Sequence, residues 1–504
     1  MARTLTTGSP WRVILAFSVP LLIGNVVQQL YQVADAIVVG RWLGVNALAA
    51  VGATGSLIFL LLGFAWGLTS GFAIPTAQAF GAQDAGAVRR SVASGAVLTG
   101  ITSVVLTVVA PLVARPALVL LQTPAELLDD AVVFAQISFL GASTMMYFNF
   151  LSAIIRAIGD SRTPLVFLTI ACALNVGLVV VLVAPTDTGW GWGWGVAGAA
   201  LATVVSQAVS VLLCLEFVRR RVPVLRLRRH DWRVTRSDLG RHLRLGLPMG
   251  FQASIIAIGT LAVQVRLNEL GADAVASYTT ASRVDGLAIA LLMSLGLATS
   301  MYVAQNHGGG RPDRIRRGVV QAVWMALIAA VVLGVLLIVF GVQLVRLFVG
   351  DGSDAVVHDA ALMLIINGST YGMLAVLFVL RGTLQGLGHT MIPTVTGVVE
   401  LVARVSAAVV LGAIFGFIGV AWSNPLAWLG AVVILVPAYV RAHRELARMP
   451  VTPAVPTPTA AIPIVGPSDG GMVVDAIVTQ PIVLPQQPPA GLRGHLVRVL
   501  ARRR

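Results

Sequence analysis

The chain has 504 residues, 57% of them hydrophobic and only 11% charged, with a mean hydropathy of +0.88. That excludes a soluble globular protein, which needs far more charge to cover its surface, and implies a polytopic membrane protein. The net charge of +14 comes from arginine alone, since no lysine occurs, and without an aromatic–basic module it argues against nucleic-acid binding.

A membrane-crossing helix needs about 20 apolar residues. Twelve segments meet this, near 13–39, 47–76, 92–114, 131–154, 163–184, 195–218, 245–267, 275–303, 318–342, 358–383, 391–413 and 416–440. Segment 1 contains "GNVVQQLYQVADAIVVG" (24–40). Asn25, Gln28, Gln32 and Asp35 fall on one narrow helical face, with Gln29 at its edge. Two readings stand for the amides: hydrogen bonds that glue helices together, worth about 0.6–2 kcal/mol, or the lining of a substrate cavity by Asn25, Gln28 and Gln32. Asp35 is different, because a carboxylate in hydrocarbon costs about 2.5–3.5 kcal/mol even on the lenient insertion scale. It lies roughly 7.5 Å along the axis from Gly40, within reach of water at the outer mouth. It is the candidate cation or proton site. Pro20 in segment 1 and Pro248 in segment 7 each remove a helical hydrogen bond. Packing and a hinge are equal readings of both. No small-residue cleavage motif follows segment 1, which reads as an uncleaved signal anchor.

Further along, "GWGWGWG" (189–195) reads as an interfacial aromatic belt. Cys172 and Cys214 fall in apolar segments, so no disulfide framework is implied. Segment 7 carries no carboxylate, and the acid of segment 10, Asp359, sits at its outer end. The intramembrane charges of this half are Arg283 and Asp285 in segment 8, Arg381 in segment 10, and Glu400 and Arg404 in segment 11. Glu400 and Arg404, four apart, are predicted to pair on one helix face, as a structural bond or as part of a substrate or proton path. Arg283 and Asp285, two apart, do not face each other, so each needs another partner. His307 beside glycines makes no metal site, and none is predicted. From Met449 the chain reads as a Pro-rich disordered tail. Its end, "GLRGHLVRVLARRR" (491–504), is either a short amphipathic basic helix on the inner leaflet or a solvated tail.

Of the 35 arginines, 28 fall before segment 1, after segment 12 or in the loops between even and odd segments. The positive-inside rule then places both termini in the cytoplasm of a multi-pass cell-membrane protein, with attraction to anionic lipid as a second effect. The halves also repeat. "AQAFGAQDAGAVRRSV" (77–92) aligns with "AQNHGGGRPDRIRRGV" (304–319) at an offset of 227, and "RAIGDSRTP" (156–164) with "QGLGHTMIP" (385–393) at 229. Six spans per repeat is an even number, so the repeats are parallel, related by an axis along the membrane normal. The expected organisation is a six-helix bundle over 1–218, a basic cytoplasmic linker over 219–242, a second bundle over 243–448 and the tail over 449–504. Two such bundles with a cleft between them suit alternating access.

At this point the chain resembles a family. "LLIGNVVQQLYQVADAIVVGRWLGVNALAAVG" (21–52), "LGLPMGFQASIIAIGTLAVQVRLNELGADAVASYTTASRVDGLA" (245–288) and "LQGLGHTMIP" (384–393) are similar to multidrug and toxic compound extrusion (MATE) transporters of the MOP superfamily, nearer the DinF-like than the NorM-like branch. The resemblance covers about residues 10–445. It implies an all-α integral membrane fold of twelve helices in two bundles, and a cation-coupling role for Asp35. The partners it implies are an Asn and an Asp four apart in helix 5 and a Thr in helix 6. Asn175 and Thr203 match, but Val179 stands where the second carboxylate belongs. That departure favours H⁺ over Na⁺, since a hard cation wants several oxygen ligands.

The expected function is a secondary antiporter that exports amphiphilic or cationic solutes against an ion gradient. The expected molecule is a monomer with no cofactor beyond the coupling ion. The alternatives are a lipid-linked saccharide flippase of the same superfamily, which usually carries fourteen helices, and an integral membrane enzyme. The chain offers no catalytic motif for the latter, and without lysine it has no nucleotide-binding loop of the GxxxxGK[ST] type.

Overall fold

The computed structural model describes residues 4–121, 123–186, 191–349 and 354–451. Gly189 and Trp190 of the Gly–Trp run, and the tail from residue 452 with its basic end, lie outside them. The helices, in chain order, are α1 (Pro10–Gly44), α2 (Asn46–Gly81), α3 (Ala85–Leu120), α4 (Ala125–Leu140 and Ala142–Ala157, joined by a 48° bend), α5 (Arg162–Val183) and α6 (Gly195–Arg221). They continue as α7 (Arg236–Leu270), α8 (Ala272–Gly308), α9 (Pro312–Val349), α10 (Asp354–Gly386), α11 (Met391–Phe415) and α12 (Phe417–Arg448). Counting the bent pair as one, twelve helices are long and apolar enough to cross a membrane, and no strand occurs among the described residues. The fold is all-α and membrane-spanning. The helices overrun the predicted segments: α1 ends at Gly44 rather than 39, and α2 at Gly81 rather than 76. Hydropathy marks only the stretch that suits lipid, whereas backbone hydrogen bonding continues into the polar ends.

Local chemistry sets the boundaries. The Asp84 side chain accepts from the Ala87 amide at 2.9 Å and starts α3. Thr235 and Asp238 form a reciprocal capping box that starts α7. Gly44 breaks α1 from α2 at φ 84°, ψ −176°, and Gly271 breaks α7 from α8 at φ 103°, ψ 177°. Glycine alone takes that backbone at little cost. The two breaks are related by the offset of 227 seen in the sequence repeat. The 219–242 linker folds into short 3₁₀ turns at Pro223–Leu225 and Arg229–Trp232. The buried Asp231 meets Arg89 of α3 at 3.4 Å and so holds the linker against that helix.

The described helices pack as one compact unit, and the halves meet along a graded seam. On α2, a methyl group added to Gly52 would touch nothing within 4 Å. At Gly63 it would meet Ala253 of α7 at 3.6 Å, and at Gly71 the Gly246 Cα at 2.5 Å. Gly52 and Gly63 are eleven residues apart, so they share a face to within about 20°. The gradient is therefore real divergence: α2 and α7 touch at the arginine-rich end and part toward the other. At the tight end the contacts are reciprocal. Gly81 packs against the Gln305 carbonyl, and Gly308 against the Gln78 carbonyl. Gln78 Nε2 donates to the Gly386 carbonyl at 3.1 Å, and Gln305 Nε2 to the Ala157 carbonyl at 2.7 Å. Each pair maps onto the other under the repeat offsets, as a two-fold between halves requires.

Adding a methyl at the seam should therefore cost about 1–3 kcal/mol as overpacking. Gly308→Ala should lower the thermal midpoint of the purified protein by several degrees. Gly177→Ala on α5, where the added carbon meets nothing within 4 Å, should leave it unchanged or higher. Equal midpoints for the two variants would contradict the packing described.

Candidate functional site

In the first half, α5 and α6 bring Asn175 and Thr203 together. Asn175 is buried, and its Nδ2 donates to Thr203 Oγ1 at 3.1 Å. The Tyr31 hydroxyl of α1 lies 3.1 Å from the same Oγ1. Asp35 follows Tyr31 by one helical turn and so sits on the same face. It is half-buried, and its Oδ1 is enclosed with no hydrogen-bond partner; Asn175 Oδ1 is in the same state. Buried acceptors are nearly always satisfied. Two open ones, one of them on the Asp35 carboxylate, are acceptors that can take a proton or a small cation. Tyr31 was not legible as a site residue, because one aromatic in an apolar segment reads as packing. Val179, one turn after Asn175, is fully buried in an apolar cluster with Val39, Leu182 and Val183. The site therefore has one carboxylate, and the wall beside it is dry.

The amides of α1 divide. Asn25 Nδ2 donates to Ser294 Oγ of α8 at 3.2 Å, a bond between the halves. Gln28 and Gln32 are exposed and make no side-chain hydrogen bond among the described residues. Gln29 Nε2 reaches to 3.9 Å from a methyl position on Gly286 of α8. This face of α1 thus looks toward α8 across the gap between halves.

In the second half, Asp285 of α8 is buried and fully engaged. It accepts from Asn367 Nδ2 at 3.1 Å and from the Tyr371 hydroxyl, both on α10. The polar residues four apart in "NGSTY" (367–371) were the only signal of that pair. The predicted Glu400–Arg404 pair is not what forms. Glu400 on α11 pairs with Arg381 on α10, both buried. An inter-helix partner replaces the i, i+4 one because it ties two helices while satisfying both charges. Arg404 is buried too, and its Nε has no hydrogen-bond partner. Arg283 stays exposed and lines an open cavity at the junction of α7 and α8. Pro20 and Pro248 are buried inside continuous helices. Pro248 cannot donate to the Arg244 carbonyl, and the Thr390 hydroxyl does so instead at 3.2 Å. No group of three or more His, Cys, Asp or Glu side chains able to hold a metal occurs among the described residues.

The sequence profile of the MatE family matches residues 20–181 and 248–410, the two halves in turn. The chain belongs to the MatE family. It is a membrane transporter, and not an enzyme. Among its MatE relatives is the "Probable multidrug resistance protein YoeA" of Bacillus subtilis, 29% identical over 77% of this chain and 84% of that one. Another is the "Probable multidrug resistance protein YpnP" of the same organism, 28% identical over 77% and 85%. A solved structure, "Outward-facing conformation of a multidrug resistance MATE family transporter of the MOP superfamily", superposes with a TM-score of 0.80 at 23% identity, covering 89% of this chain and 99% of that one.

Within this MatE fold the Arg381–Glu400 pair is a structural tie between α10 and α11. Arg381→Met leaves Glu400 buried and unpaired and should cost about 3–5 kcal/mol. Arg381→Met with Glu400→Leu removes both charges and should recover most of that. Thermal unfolding of the detergent-solubilised variants measures it. A double variant no more stable than the single one would show that the pair is not what matters there.

Proposed function

We propose that this protein is an antiporter of the cell membrane that exports amphiphilic or cationic solutes in exchange for an inward-moving cation. Its arginine-rich end faces the cytoplasm. The relatives named as multidrug resistance proteins support the cargo class. The observation that carries the coupling is the Asp35 carboxylate, half-buried in the first half with one oxygen unbonded, one helical turn from Tyr31, whose hydroxyl meets the Asn175–Thr203 pair. Ionised, it draws a cationic solute into the cleft. Protonated from the outer mouth, it loses that attraction and the solute leaves. Coupling requires only that the two ligands favour different states of the transporter.

A proton is the better-supported ion. One carboxylate, one amide and one or two hydroxyls hold a proton, whereas Na⁺ wants more oxygen ligands and compensating charge than a site walled by Val179 offers. The exposed Gln28 and Gln32 line the cavity on this reading, while Asn25 acts as a bond between halves. Pro20 and Pro248 serve as hinges.

Everted vesicles, whose uptake of an external fluorescent cation under a lumen-acid pH gradient reports efflux, test this. Asp35→Asn keeps size and most hydrogen bonding but cannot exchange a proton. It should reach the membrane normally and lose efflux about tenfold or more, an effect of the size expected when an interaction made only during turnover is removed. Asn175→Ala and Thr203→Ala should weaken efflux less, and Val179→Asp should add a Na⁺ requirement. Wild-type efflux by the Asp35→Asn protein would end the proposed role.

A further inference from the structure

The charges on the walls of the gap are not all accounted for by cation coupling. Ser294 and Asn25 fix the level at which α8 and α1 touch. The two helices run in opposite directions. Ten residues beyond Asn25 on α1 is Asp35; eleven residues before Ser294 on α8 is Arg283. At 1.5 Å per residue they lie about 15 and about 16.5 Å further toward the open end, Asp35 on a first-half helix and Arg283 on a second-half one. Eleven residues is three turns plus about 20°, so Arg283 stands on the α8 face that turns Ser294 toward α1.

Arg283 is exposed. Among the described residues it has no ion pair. The acids nearest in sequence are otherwise engaged or distant. Asp285 is buried against Asn367 and Tyr371. Glu269 is held by Arg266. Asp273 lies about 15 Å further out along the helix. Around Arg283 is an open cavity of about 630 Å³, lined by Asn268 of α7 and by Val275, Ala276, Thr279 and Thr280 of α8. Asn268 Oδ1 is taken by Gln264 Nε2 at 3.0 Å, which leaves its amide N–H groups for a ligand. A guanidinium, two hydroxyls and an amide N–H beside a small apolar floor match a carboxylate or phosphate carried on an apolar body.

We infer that Arg283, with Thr279, Thr280 and Asn268, forms an anion-recognising subsite on the second-half wall, so that the preferred solutes are amphiphiles bearing an anionic group as well as a cationic one. Asp35 reads the positive end and Arg283 the negative end at one depth in the gap. The inference rests on the exporter reading above and narrows its substrate class.

Rhodamine 110 and rhodamine 123 test it. They share one cationic ring system and differ in that the first has a free carboxylate and the second its methyl ester. Binding is read by fluorescence polarisation on the full-length protein in dodecyl maltoside, which carries no phosphate. Wild type should bind rhodamine 110 more tightly than rhodamine 123. Arg283→Gln should weaken rhodamine 110 about tenfold, the scale of one charge-assisted hydrogen-bonded contact, and rhodamine 123 by less than about twofold. Arg283→Lys should fall between. Equal effects on both dyes, or a wild type that prefers the ester, would overturn the subsite while leaving the exporter reading intact. Displacement of rhodamine 110 by stoichiometric phosphatidylglycerol would reassign the anion to a lipid headgroup and overturn the substrate inference. Failure of wild type to bind either dye would count against both readings.

Discussion

The structure depends on a reciprocal lock at the arginine-rich end. Gln78 of the first half reaches the Gly386 carbonyl of the second, and Gln305 of the second reaches the Ala157 carbonyl of the first. Gly81 and Gly308 let the backbones come close enough for it. A side-chain amide satisfying a carbonyl in a low-dielectric seam is strong when made and costly to leave unmade. Four symmetric positions therefore hold the halves together at one end. Among the described residues nothing comparable joins them at the other, where Gly44, Gly52, Gly55 and Gly271 each face open space. The cleft follows from that imbalance.

The backbone repeats while the chemistry does not. Gly44 and Gly271 break their helices in the same way, yet the residue 227 after Asp35 is Ala262, and the residue 229 after Asn175 is Arg404. The first half keeps a carboxylate oxygen unbonded near the gap. The second half buries Asp285 and Glu400 and closes them with Tyr371, Asn367 and Arg381. One bundle leaves acceptors open, while the other uses its acids to tie helices together and keeps Arg283 exposed.

Much of this was legible in the sequence. Hydropathy gives twelve spans, because a helix in lipid must be apolar over a fixed length. The repeat was visible because the lock needs the same Gln and Gly in both halves. Asp35 stood out because its cost in hydrocarbon demands a reason. The sequence did not reveal partners between distant helices. Glu400 chose Arg381 over Arg404, Asp285 chose two α10 residues, and Tyr31 joined Thr203, since those choices depend on helix rotation and not on spacing along one helix. Nor could it separate Asn25 from Gln28 and Gln32: all share a face, and only the depth at which α8 approaches distinguishes a bond from a lining.

We propose that the two halves alternate, the Gln78 and Gln305 bonds breaking as the gap at the other end closes. Spin-label distances on the protein in nanodiscs test it directly, with one pair at Leu48 and Ala276 on the open end and another at Arg90 and Arg317 on the arginine-rich end. Lowering the pH and then adding a transported dye should move the pairs in opposite senses, one distance lengthening as the other shortens. If both distances stay fixed, or lengthen together, the halves do not alternate at this seam.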